Sequence, residues 1–141
     1  MRLIKIMVSC VGFIIRKASL LKPKLVRVIR SAVLDVAIDL RKDSTSFGKH
    51  IAIEINEDNK IQMCTKRTFA QGYVILEDNT IFNYKCDNYY APRHEGGVNW
   101  ADKTLAIDWK IRIKDLIVSE KDAFLSDFIR LVIFLIVIWI C

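Results

Sequence analysis

Apolar residues recur at every second position through the middle of the chain. In VLDVAIDL, residues 33–40, Leu34, Val36, Ile38 and Leu40 fall on one face and Asp35 and Asp39 on the other, the pattern of a half-buried strand. HIAIEIN repeats it, with Ile51, Ile53 and Ile55 directed inward. KIQMC follows an EDNK turn, and GYVIL and TIFNYKC flank a second acidic turn, EDNT. Short strands separated by polar turns predict an all-β fold, an antiparallel sandwich or small barrel of the jelly-roll kind. Such folds keep ligands inside the mouth, so polar side chains on inward faces are the candidates for chemistry.

The two ends follow a different pattern. MRLIKIMVSCVGFIIRK has a basic start and an apolar stretch like the core of a signal peptide, but no small-x-small cleavage site follows it. At the other end, LVIFLIVIWIC is an uncharged apolar run from Leu131 to Cys141. As a helix at about 1.5 Å per residue it spans roughly 16 Å, half of a bilayer's hydrocarbon core. Extending it back to Ala123 would carry Asp127 and Arg130 into the membrane. The tail is therefore expected to be a short helical element, buried or facing a second subunit, and any membrane contact would run through 123–141. Three segments are expected: a divergent apolar lead over 1–23, a folded β-domain over 24–122 and the tail over 123–141.

With 141 residues the chain is long enough for one core. Hydrophobic residues make up 52% of it, with the excess at the ends. The formal charge of +6 is scattered rather than gathered in blocks. That argues against nucleic acid as a partner and fits solvated lysines or an anionic small ligand. Cys10, Cys64, Cys86 and Cys141 form no CxxC and have no zinc-ligand spacing to His50 or His94. Scattered thiols suit a reducing compartment, the cytoplasm.

One stretch has too much chemistry for a plain strand. YKCDNYYAPRHEGGVNW, Tyr84 to Trp100, holds four aromatics, two basic residues, two acids and a Gly-Gly pair. Together with KLVRVIRSAVLDVAIDLRKDSTSFGKHIAIEINEDNK, FAQGYVIL, IDW and SEKD, it resembles the dTDP-4-dehydrorhamnose 3,5-epimerases, cupin-type sugar-nucleotide enzymes of dTDP-rhamnose biosynthesis. The resemblance runs from Lys24 to Asp122 and implies a cupin jelly roll, a homodimer, a dTDP-linked 4-keto-6-deoxy sugar as ligand, and no metal or cofactor. In the reaction it implies, a ketone acidifies the C–H bonds at C3 and C5. Inverting these carbons takes a base on one face, an acid on the other and a group to hold the enolate oxygen.

Position by position, the resemblance implies that Tyr84 is the acid, Lys24 the cation at the developing oxyanion and Asp122 the carboxylate of a His-Asp dyad. It likewise implies that Tyr90 stacks on the thymine ring, that Glu95 binds substrate and that Lys121 lies beside the diphosphate. The chain departs from the family where the base belongs. Counting back from Lys24, Val11 and Ile14 stand at the Arg and His of the family's Arg-Gly-Leu-His motif, and Ile61 replaces the Arg of its Asn-Lys-Arg-Gln. In FAQG, Gln71 stands where the family has a second histidine, and an amide binds a sugar but carries no proton near neutral pH. The expectation is an N-terminally truncated, divergent member with impaired epimerase activity, or a non-catalytic relic that binds a sugar nucleotide or pairs with an intact homologue.

Overall fold

The computed structural model describes residues 7–8, 24–66, 68–86, 98–110, 117–118 and 127–129. Among these residues the elements are β1 (Met7–Val8), β2 (Lys24–Arg30), β3 (Ala32–Asp39), β4 (His50–Asn56), β5 (Gln62–Thr65), β6 (Phe69–Ile75), β7 (Ile81–Cys86) and β8 (Ile117–Val118). Two antiparallel sheets carry the fold, one ordered β5-β2-β7 and the other β4-β3-β6, while β1 and β8 pair in parallel. This is the antiparallel sandwich that the period of two predicts. The acidic turns lie where the sequence puts them. Asn56 Oδ1 accepts from the Asp58 and Asn59 amides, and the Thr80 hydroxyl donates to the Glu77 carbonyl. Among the described residues no helix is long and apolar enough to cross a membrane.

The chain passes from one sheet to the other through a single residue. Ser31, between β2 and β3, adopts a φ of 66° and donates its hydroxyl to the Asp78 carbonyl at 3.1 Å. A register shift between Val28 and Arg30 precedes it. Bulge and corner together reset the alternation of faces. On β2 the buried row is Lys24, Val26 and Val28; beyond the corner it is Val33, Asp35, Ala37 and Asp39 that share a face with Ile53 and Ile55 of β4 and with Gln71, Tyr73 and Ile75 of β6.

This corrects the half-buried reading of β3. All eight of its residues are buried. The face bearing Asp35 turns toward β2 and packs in the apolar cluster of Val26, Val28, Val33, Ala37, Ile55 and Met63. The face bearing Leu34, Val36 and Ile38 is covered by the segment 98–110, through Val98, Leu105 and Trp109. A central strand with a layer on each side has no solvent face for aspartate to occupy. Ile51, expected to point inward, follows the Ile53 and Ile55 row in register but is 51% exposed, because β4 is the margin of its sheet.

At the end of β3, Asp39 closes the loop 41–49. Its carboxylate accepts from the backbone and guanidinium of Arg41 and from the hydroxyls of Ser44 and Ser46, at 2.6–2.9 Å. These donors, Arg41 foremost, hold it well below the usual carboxylate range. Gly48 completes the loop with a φ of 74°, and a Cβ there would come within 3.2 Å of the Phe128 ring. Phe128 is buried against Ile38, Ala70, Val98 and Leu105. Gly48→Ala should therefore destabilise the fold by about 1–3 kcal/mol, from backbone strain and displacement of that ring. Urea denaturation checks this, and an unchanged midpoint would mean that the ring yields freely.

Candidate functional site

Between the two sheets the apolar packing gives way to a group of polar side chains. Lys24 opens β2 with its side chain on the inner face, and the residue is only 7% exposed. Thr65, its register partner on β5, is also buried. Across the gap, Asp35 of β3 and Gln71 of β6 share the inner face of the other sheet. The Thr65 hydroxyl donates to Gln71 Oε1 at 3.2 Å, and Gln71 Nε2 donates to Asp35 Oδ2 at 2.6 Å. A hydrogen-bonded chain thus links the sheets, with the Thr65 hydroxyl also 3.5 Å from the Lys24 carbonyl oxygen.

Asp35 is the electrostatic centre of this group. It is fully buried, and desolvation pushes its pKa from 3.8 up to about 7, although the Gln71 hydrogen bond and the Lys24 charge both favour the carboxylate. Its Oδ1 is buried with no hydrogen-bond partner among the described residues. A carboxyl in that state is a group with unused hydrogen-bonding capacity.

Tyr84 lies toward the open side. Its register partner is Val26, so it shares the inner face of the β5-β2-β7 sheet with Lys24, diagonally across two strands at about 7–8 Å between Cα atoms. It is 59% exposed, on a strand at the sheet margin. An aromatic row leads inward from it: the Tyr84 and Phe82 rings are 6.3 Å apart and those of Phe82 and Tyr73 4.4 Å. The arrangement joins an accessible phenol to a sheltered amine and a buried carboxyl.

Of the residues singled out in the sequence, Lys24 and Gln71 are buried between the sheets, and Tyr84 shares the inner face of the Lys24 sheet at its open side. Tyr90, Glu95, Lys121 and Asp122 lie outside the described residues, as do Val11 and Ile14. Among the described residues no three His, Cys, Asp or Glu gather as a metal-ligand group. Asp35 was missed by the sequence reading, which turned it to solvent. The signal was present: the row Val33, Asp35, Ala37, Asp39 is half apolar, which a solvent face has no reason to be.

An antiparallel jelly-roll sandwich with polar groups buried between its sheets defines a cupin-like small-ligand fold. The family model for dTDP-4-dehydrorhamnose 3,5-epimerase matches residues 12–129, and the chain belongs to that family. It is 42% identical over 100 residues to the dTDP-4-dehydrorhamnose 3,5-epimerase of Methanothermobacter thermautotrophicus, a match that covers 70% of this chain and 54% of that protein. Among solved structures it is similar to the dTDP-4-dehydrorhamnose 3,5-epimerase of Elizabethkingia anophelis, with a TM-score of 0.82, 40% identity, and coverage of 88% of this chain and 67% of that one. It is also similar to the Legionella pneumophila dTDP-6-deoxy-D-glucose-3,5-epimerase in complex with dTDP-4-keto-L-rhamnose, with a TM-score of 0.76, 31% identity, and coverage of 86% and 62%. The chain spans 54–60% of the length of the first curated relatives it matches.

Proposed function

We propose that the interior between the sheets binds a dTDP-linked 4-keto-6-deoxy sugar and that the chain promotes proton exchange alpha to the ketone, the chemistry of a 3,5-epimerase. The observation that carries this reading is the common inner face of Lys24 and Tyr84. Transfer of a proton from C3 or C5 to a solvent base at the mouth leaves an enolate, and the amine of Lys24 stabilises the charge gathering on its oxygen. The phenol of Tyr84, open to the mouth, returns a proton to the opposite face of the ring and recovers one from solvent. The ketone is regenerated with that carbon inverted. In this reading Tyr90 stacks on the base, Glu95 and Lys121 bind sugar and diphosphate, Asp122 stands at the dyad position, and the protein works in the cytoplasm as a homodimer.

A second reading, binding without exchange, is favoured by Gln71. Its amide is committed at both ends, to Thr65 and to Asp35, and so serves as a fixed brace where a histidine would carry a proton. Solvent-deuterium incorporation into dTDP-4-keto-6-deoxyglucose, read by mass spectrometry beside calorimetric titration with dTDP, separates the two. Uptake of label is expected. Nucleotide binding with no uptake would leave only the binding function, and absence of both would remove the sugar-nucleotide reading.

A further inference from the structure

The apolar segment Leu131–Cys141 begins just beyond a firmly held anchor. Phe128 is buried on Ile38, Ala70, Val98 and Leu105, with the Phe47 ring 6.0 Å away and Gly48 against its edge. Its amide donates to Asp102 Oδ2 at 2.8 Å, while Oδ1 of the same carboxylate accepts from the Thr104 and Leu105 amides. One residue on, Ile129 is 58% exposed. The root of the segment is therefore fixed at the protein surface. Leu131–Cys141 itself holds no charge and no strongly polar side chain at any position. A segment with protein on one side and water on the other alternates apolar and polar positions, at a period of two or of 3.6. This one does neither. Its surroundings must be apolar on every side, which acyl chains provide.

We propose that residues 131–141 enter the acyl region of a lipid bilayer and that Lys49, Lys103 and Arg130 meet its anionic headgroups, so that the protein sits on a membrane surface. The basic residues adjoin the root. Lys49 follows Gly48, Lys103 follows Asp102 and Arg130 follows Ile129, and both lysines are exposed. Of the acids there, Asp102 is buried and holds three amides, which leaves Asp127 as the exposed one beside Phe128. The chain as a whole carries +6. Basic residues next to an inserted apolar segment add attraction to anionic lipid, the pairing of two signals that makes surface binding stable. The proposal is independent of the sugar-nucleotide reading, because Phe128 packs with Ile38 and Ala70, on the face of β3 and β6 opposite to Asp35 and Gln71.

The test is flotation of the full chain with vesicles of phosphatidylcholine alone or with about one-third phosphatidylglycerol. The chain should float with both and bind the anionic vesicles more tightly. Lys49→Gln with Lys103→Gln should weaken binding to the anionic vesicles by roughly 25-fold, at about fivefold per lysine, and leave binding to the neutral ones unchanged. Ile136→Asp should abolish flotation while the urea midpoint of the domain holds. Insertion is read separately from the fluorescence of Trp139, which brominated acyl chains should quench; Trp139→Phe subtracts Trp100 and Trp109, and this measurement decides alone if Ile136→Asp does not fold. Absence of flotation, or of quenching at Trp139, overturns the proposal. Equal binding to both vesicles overturns the part assigned to Lys49 and Lys103. A wild type that ignores vesicles but forms a dimer that Ile136→Asp splits would make the segment a contact with a second copy, and overturns it equally.

Discussion

Tyr84→Phe will slow deuterium uptake from solvent into dTDP-4-keto-6-deoxyglucose by about 10²–10⁴-fold, the usual contribution of a general acid. The substitution removes one oxygen and keeps the ring, so the row with Phe82 and Tyr73 survives. Because the residue is 59% exposed, stability should change by less than about 0.5 kcal/mol. Affinity for dTDP should hold within a few-fold, since in the proposed reaction the hydroxyl serves the sugar carbon and not the nucleotide. Mass-spectrometric time courses and calorimetric titration, run side by side, measure both quantities. Equal uptake by the variant and wild type would remove Tyr84 from the chemistry, and a parallel loss of nucleotide affinity would make it a binding residue.

The second large effect is on stability. Asp35 has a folded pKa of about 7 against an ordinary 3.8, so between those values the folded state retains a proton that the unfolded state has released. Stability therefore falls as pH rises through that window and levels off above about 7. At about 1.36 kcal/mol per pH unit, the change across the window is roughly 4 kcal/mol. Asp35→Asn keeps the shape and an acceptor for Gln71 but cannot ionise. It should match wild type near pH 4 and exceed it by several kcal/mol at pH 8, as read by urea denaturation at both values. Other carboxylates, Asp39 among them, titrate alike in both proteins and cancel in the difference. A variant no more stable than wild type at pH 8 would mean that the ionised carboxyl is satisfied after all. A more stable but slower variant would identify Asp35 as a group retained for function at the expense of stability.

Much of the sandwich is written in local pattern. The strands over 50–56, 62–65, 69–75 and 81–86, and the two acidic turns between them, follow from alternation and turn chemistry, which act over neighbours in sequence. The orientation of β3 does not. Alternation gives two faces but does not say which meets the core, and a strand between two layers loses the contrast by which faces are told apart. The bulge after Val28 and the positive φ at Ser31 shift the parity, so counting from β2 into β3 misleads. Asp35 was hidden by that shift, and its partners Gln71 and Thr65 lie 36 and 30 positions away in the chain. Lys24, Gln71 and Tyr84 were reached by resemblance, because no local rule separates a strand-opening lysine in a pocket from one in water.

The Ser31 corner also gives the molecule two unlike ends. The Glu57 amide donates to the Ser31 carbonyl and the Ser31 hydroxyl to the Asp78 carbonyl, which ties both acidic turns to the corner. Lys24 and Thr65 are at the opposite end of β2 and β5, and the chain leaves β7 there two residues beyond Tyr84. The turns at 57–60 and 77–80 are consequently handles: a fluorophore or surface linkage attached at exposed Asp58 or Asn79 would report on or immobilise the protein while leaving the pocket mouth free.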